Sequence, residues 1–309
     1  MEYLKKDNSL ERLLSRMNVA LADEFSTDRP SADTYFTGQI VGLPRSGTTI
    51  LYQLMARTGQ VGYPSNVMAF FWSAPHVGAR LQERLSRNGP TLSLNSLAGR
   101  TSEPLDPHEF GLFWRNALGH SKNSMLADGR RRNADDLRAS LDLINEAFSA
   151  PTVFKNFLVP AHVNYLSAEV GRQKYFLVQR DLLEIAASIL SMRQRLKVKS
   201  SDWFGPAPED ARPEYDSVHE MVAHQVVSLY SMIEEPIFKQ SADTLAFELP
   251  ELIRDPREVV SRILEFLGVE FDRSLVAATV PDQLEMSRRY SGVGKAELRK
   301  LERELHGFI

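Results

Sequence analysis

Residues 35–59 read YFTGQIVGLPRSGTTILYQLMARTG, and this stretch decides the fold. Its first part, YFTGQIVGL at 35–43, reads as a buried strand. Its last part, ILYQLMART, reads as a helix that Gly59 stops. Between them stand Gly42, Leu43, Pro44, Arg45, Ser46, Gly47, Thr48 and Thr49. Strand, glycine-containing loop and helix follow each other in the order that builds a phosphate cradle. Gly42 and Gly47 let the backbone turn tightly and bring amides inward. The helix N-terminus adds unpaired N–H groups. Thr48 and Thr49 add hydroxyl donors, and Arg45 offers a planar fork of donors. A nucleoside-triphosphatase loop would carry lysine just before its serine or threonine, to reach the outer phosphates. Thr48 stands there instead, and the positive charge sits earlier, at Arg45. Such a loop can hold a 5'-phosphate without being equipped for ordinary ATP hydrolysis.

Working outward, TVFKNFL at 152–158, KYFLVQR at 174–180 and TLAFE at 244–248 read as further strands. Helices are expected at 9–25, 183–195, 216–234 and 256–267. Asp255 is a candidate cap and Pro256 an early helix position for the last of these. Residues 60–150 are mostly helical in pattern, with loops at 87–107 and 119–134. The stretch 200–215, SSDWFGPAPEDARPEY, holds three prolines and a glycine and reads as a long surface loop. Strands alternating with helices predict one α/β domain over 1–309, of three-layer P-loop type, with a mostly parallel sheet flanked by helices.

The 309 residues suffice for a substantial core, and 43% hydrophobic with 25% charged residues is ordinary for a folded soluble chain. A net charge of -3 argues against a general nucleic-acid binder. With no cysteine, there is neither a disulfide framework nor a cysteine-based metal site. No metal-ligand spacing stands out. No run of 18 apolar residues exists, so no membrane span is expected, and the charged start lacks the apolar block of a signal peptide. A cytoplasmic location is the corresponding expectation.

The loop Gly42–Thr49 resembles the 5'-phosphosulfate loop of sulfotransferases, especially their bacterial, carbohydrate-directed and protein-tyrosine branches. The resemblance implies 3'-phosphoadenosine 5'-phosphosulfate (PAPS) as donor and adenosine 3',5'-bisphosphate as product. Pro44, Arg45, Ser46, Gly47, Thr48 and Thr49 would hold the 5' side. A second segment, Tyr175 to Asp181 running on to Ser188, is similar to the family's 3'-phosphate site. Arg180 ends a hydrophobic strand and Ser188 lies eight positions on, in the next helix. The family's proline after the aspartate is replaced by Leu182. Without the resemblance, Arg180 could equally pair with a surface acid. Residues 247–249, 255–256 and 263–269 look like the family's late strand and helix. Family members often close a basic, glycine-containing loop over the nucleotide near Arg288 and Arg289, which makes these two nucleotide candidates.

Sulfuryl transfer needs a stabilised leaving phosphate, held sulfuryl oxygens and a base for the acceptor proton. Positioning and fixed cations supply much of this. Lys155, on the strand 152–158, is similar to a family lysine and is the candidate electrostatic catalyst beside Arg45. A strand-edge lysine that snorkels to water is the plainer reading. The protein-tyrosine branch carries a glutamate about twenty residues beyond the loop arginine, where this chain reads Tyr63-Pro64-Ser65-Asn66. The base is sought instead in residues 101–110, TSEPLDPHEF, where His108, Glu103 and Glu109 are the candidates in that order. Residues 60–150 would then be the acceptor-side insertion, 200–215 a candidate lid, and Phe70, Phe71, Trp72, Phe113 and Trp114 candidate acceptor-lining aromatics or core. Arg130–Arg132 reads as a solvated loop. The expected acceptor is a hydroxyl, less readily an amine, of a small molecule or carbohydrate. An ATP-dependent kinase is the alternative enzyme, with Asp181 as its magnesium-holding acid. A nucleotide-binding protein without transfer activity is the alternative outside catalysis.

Overall fold

The computed structural model describes residues 8–25, 28–31, 35–86, 92–96, 99–120, 127–208, 210–238, 240–285 and 292–308. Four strands form one sheet in the order β2-β1-β3-β4. They are β1 (Thr37–Val41), β2 (Thr152–Lys155), β3 (Gln173–Gln179) and β4 (Thr244–Glu248). Every pairing is parallel, with Ile40 beside Lys155, Val41 beside Leu177 and Gln179 beside Glu248. The helices are α1 (Asn8–Glu24), α2 (Thr48–Arg57), α3 (Pro75–Ser86), α4 (Gly111–Leu118), α5 (Ala134–Phe148), the short α6 (Val163–Tyr165), α7 (Leu182–Leu196), α8 (Val218–Phe238), α9 (Leu249–Arg254), α10 (Pro256–Phe266), α11 (Arg273–Thr279) and α12 (Lys295–Phe308).

Strand side chains alternate between two cores, as the pleat requires. Val41, Phe154, Tyr175 and Leu177 face a core built with α4, α5, α7, α8 and α12. Ile40, Val153, Phe176, Val178 and Phe247 face the other, built with α2, α9, α10 and α11. Helices therefore cover both faces of the sheet. Since β1 lies between β2 and β3, the loops leaving β1 and β3 stand side by side at the carboxyl edge, where α/β sheets hold ligands.

The strands are shorter than expected where the chain needs to turn. β2 ends at Lys155 because Asn156 bends the chain, its Oδ1 accepting Leu158 N–H at 2.8 Å. β1 ends at Val41 because Gly42 takes φ 151° and opens the loop. Arg130–Arg132 is not wholly a solvated loop. Arg131 lies over the Tyr165 ring, and Arg132 lies over Phe113 and donates to Ser140 Oγ at 3.1 Å.

Beneath this run, His120 and His162 meet Nε2 to Nε2 at 2.7 Å, and both are buried. Burial, then Arg131 and His120, holds His162 down to about 4. The unfolded imidazole titrates near 6.5, so the unfolded chain binds this proton first as pH falls. The stabilising effect is complete above about pH 6.5 and is lost as pH drops through 4. We expect urea unfolding to show a loss of roughly 2–3 kcal/mol over that window, and a flatter profile in His162→Gln. An unchanged profile in that variant would assign the acid sensitivity elsewhere.

Candidate active site

The loop after β1 is shaped by backbone that few side chains could adopt. Gly42 and Gly47 have φ of 151° and 109°, and Arg45, not a glycine, has 72°. A β-carbon at Gly42 would come within 2.6 Å of the Val178 carbonyl, and one at Gly47 within 2.5 Å of Leu249 Cδ1. Both glycines are therefore fixed by close approach to β3 and α9. Among the described residues no side chain caps the first turn of α2, and that turn holds no acid. Its free N–H groups and positive dipole end face the loop, an arrangement that attracts anions.

The second segment meets this loop directly. Arg180 Nη1 donates to the Arg45 carbonyl at 2.8 Å, and Arg45 Nε donates to Ser188 Oγ at 3.1 Å. Two guanidiniums and a hydroxyl from three elements thus share one spot, with Arg45 leaning toward Ser188. Burial lowers the Arg45 pKa, and nearby Arg180 lowers it further. The countercharge is Glu184, whose Oε2 lies 3.1 Å from Arg180 Nε. Asp181 caps α7, accepting Glu184 N–H at 2.9 Å. This cap begins the helix in place of the expected proline turn, and it engages the acid that a kinase would need for magnesium.

At the neighbouring strand end, Lys155 Nζ makes an ion pair with Glu109 Oε1. Asn156 Nδ2 donates to the Glu109 carbonyl at 2.8 Å and holds the pair's backbone to the end of β2. Phe110, with φ 53°, reverses the chain into α4 immediately after Glu109. A left-handed phenylalanine is strained, and such strain persists where surrounding contacts over-determine it. His108 is oriented differently. Its Nδ1 accepts Phe110 N–H at 2.9 Å, which assigns the neutral ring's proton to Nε2. Burial lowers its pKa, Glu109 opposes that, and Arg100 adds to it. A neutral ring with Nδ1 engaged and Nε2 protonated has no lone pair left for a base. Glu103 is exposed on a turn whose carbonyl accepts Asn66 Nδ2 at 2.7 Å. Arg288 and Arg289 lie outside the described residues.

Phe113 and Trp114 are core rather than acceptor lining. Both are fully buried, and Phe113 stacks on Phe110 while Trp114 meets Phe154 edge-on. The stretch 200–215 is tied down rather than free to swing. Buried Arg193 donates to the carbonyls of Asp202 and Lys199 at 2.5 and 2.8 Å. Buried Gln225 donates to those of Phe204 and Pro206 at 3.0 and 2.8 Å. The Arg212 amide donates to Tyr215 Oη, Tyr215 donates to His224 Nδ1 at 2.6 Å, and His224 Nε2 donates to Asp210 at 3.0 Å. Gly205 comes up against Pro44, so this fixed wall borders the loop after β1.

Asn156 and Glu184 escaped the sequence reading. Glu184 follows Arg180 by four, the spacing of helical ion pairs, and that signal was available. Asn156 carries no sequence signal that separates it from an ordinary loop residue.

The profile describing the sulfotransferase family matches residues 39–273, a span that contains the loop, Lys155, Arg180 and Ser188. The chain belongs to the sulfotransferase family. The reaction of this sulfotransferase is PAPS-dependent sulfuryl transfer. Its fold is similar to that of sulfotransferase STF1 from Mycobacterium tuberculosis H37Rv, with TM-score 0.56 and 16% identity over 96% of this chain and 82% of that one. It is also similar to sulfotransferase STF9 from Mycobacterium avium, with TM-score 0.55 and 13% identity over 97% and 82%. At such identities the likeness concerns the fold. No curated protein matches the sequence at a significant level.

Proposed function

We propose that this sulfotransferase, a P-loop-type fold of the carbohydrate-directed kind, binds PAPS across the β1/β3 crevice and sulfates a hydroxyl of a small-molecule or carbohydrate acceptor. The observation that carries the reading is the junction of Arg45, Arg180 and Ser188, where two cations and a hydroxyl meet beside an uncapped helix N-terminus. An ADP or ATP enzyme has no use for a second anchor of this kind. PAPS supplies a sulfuryl group on a good leaving phosphate. The loop of residues 44–49 holds the 5'-phosphate side, with amide donors from Arg45 onward. Arg180 and Ser188 hold the 3'-phosphate, and Arg45 bridges the two anchors. Lys155 stabilises charge on the group in transit, and Glu109 takes the acceptor proton. Glu184 fixes the direction of the Arg180 fork and acts as a positioning residue.

Calorimetric titration with adenosine 3',5'-bisphosphate beside ADP tests the reading. The bisphosphate should bind far more tightly, and Arg180→Ala should weaken it by about 1.5–3 kcal/mol, the scale of a charged hydrogen bond. The ADP affinity of that variant should hardly change. Equal wild-type affinities for the two nucleotides would defeat the 3'-phosphate assignment.

A further inference from the structure

The segment that ends at Glu109 is held by its backbone. Every carbonyl from Glu103 to Glu109 accepts a hydrogen bond. Those of Glu103 and Pro104 take Asn66 Nδ2 at 2.7 Å and the Val67 N–H at 2.9 Å. Those of Leu105, Asp106 and Pro107 take Tyr63 Oη at 2.9 Å, the Asn66 N–H at 3.1 Å and Thr101 Oγ1 at 2.8 Å. These donors come from residues 63–67 and from Thr101. The last two carbonyls are tied to the sheet layer instead. The Glu109 carbonyl takes Asn156 Nδ2 at 2.8 Å, next to Lys155 at the end of β2. The His108 carbonyl takes Tyr52 Oη at 3.2 Å. Tyr52 lies on α2, one turn beyond Thr48, where the loop after β1 ends.

Tyr52 is 2% exposed and packs in the core that α2 shares with α9 and α10. Burial holds its phenol proton well above the usual range, and Tyr63 and Glu109 raise it further. The hydroxyl is thus a permanent donor. It also stands 3.2 Å from the Pro64 carbonyl. A buried tyrosine needs some partner for its hydroxyl, and Pro64 alone would meet that need. The Pro64 carbonyl already accepts the His108 N–H at 2.8 Å, so loss of the hydroxyl falls on the His108 carbonyl. What that contact adds is a link between the helix that starts at the loop after β1 and the peptide that carries Glu109.

We propose that Tyr52 is a positioning residue for sulfuryl transfer, holding Glu109 in register with the loop after β1 through the His108 carbonyl. The inference rests on the reading of Glu109 as the base. Asn156 sets Glu109 against Lys155, and Tyr52 sets it against α2. Tyr52 touches neither nucleotide nor acceptor in this scheme, and its whole effect on rate passes through the carboxylate.

A cycle of wild type, Tyr52→Phe, Glu109→Gln and the double variant tests this, by single turnover at saturating PAPS with any acceptor that the wild type sulfates. Displacing a reacting group by about 1 Å can cost about 10²-fold, and Asn156 still holds the next carbonyl, so Tyr52→Phe should slow turnover about tenfold. Its affinity for adenosine 3',5'-bisphosphate should stay within about threefold of wild type. In the Glu109→Gln background the same change should cost less than about twofold, because the group it positions no longer accepts a proton. Tyr165→Phe is the control, since Tyr165 Oη donates to the Arg132 carbonyl at 2.9 Å, away from the segment. It should leave turnover unchanged. A tenfold loss in both backgrounds, an equal loss in Tyr165→Phe, or wild-type turnover in Tyr52→Phe would each overturn the proposal. Wild-type turnover in Glu109→Gln would instead overturn the reading beneath it. Should Tyr52→Phe not fold, Tyr52→Met fills the space without a donor and carries the same cycle.

Discussion

Glu109→Gln slows turnover by about 10²–10⁴-fold, the usual contribution of a positioned general base, while adenosine 3',5'-bisphosphate binds as before. The amide keeps the size and the contact with Lys155 but cannot accept a proton. The expectation follows from two adjacent residues that the fold treats oppositely. His108 spends its Nδ1 on the Phe110 amide, whereas Glu109 brings a carboxylate oxygen to Lys155. His108→Ala should accordingly cost far less than Glu109→Gln in a single-turnover assay at saturating donor, with any acceptor that the wild-type enzyme sulfates. A larger loss in His108→Ala would reverse the assignment.

Lys155→Met is expected to lower kcat by about 10²–10³-fold, close to the loss seen when one donor to a developing charge is removed. Nucleotide affinity should hold, because Arg45, Arg180 and Ser188 form the anchors at the neighbouring strand end. The variant also leaves Glu109 without its cation, so part of the loss belongs to the carboxylate. The double variant Lys155→Met/Glu109→Gln separates the two. If the pair acts as a unit, the double variant is scarcely slower than the worse single variant. Multiplied losses would mean that the two groups act independently. Wild-type turnover in Lys155→Met would remove lysine from the chemistry altogether.

Much of the fold was legible because parallel strands are written as apolar runs. β4 was bounded at its observed ends and β2 at its observed start, and the remaining strand ends differed by one to three residues. The loop glycines were legible because their backbone angles exclude most other residues. Side-chain direction was not legible. Nothing in the order Asp106-Pro107-His108-Glu109 says which side chain turns inward, because the answer depends on the left-handed turn at Phe110. Asp181 read as the metal-holding acid of the kinase alternative, and its oxygen lies on the Glu184 amide as a helix cap. The fixing of 200–215 was hidden for a similar reason. Its bonds come from Arg193, Gln225 and His224, buried members of two helices whose spacing looks like ordinary amphipathic pattern.

The position of β1 in the sheet has a consequence for how the chain is made. Its two neighbours are β2, beginning at Thr152, and β3, beginning at Gln173. A ribosome adding about 5–20 residues per second leaves β1 without a partner for on the order of ten seconds. Over that interval the segment TGQIV, both of whose faces end in a core, is an unpaired apolar strand. The loop after β1, whose shape depends on close approach to Val178 and Leu249, cannot set before those residues emerge. The nascent first half therefore carries an unpaired strand, and the loop after β1 takes its shape late in the making of the chain.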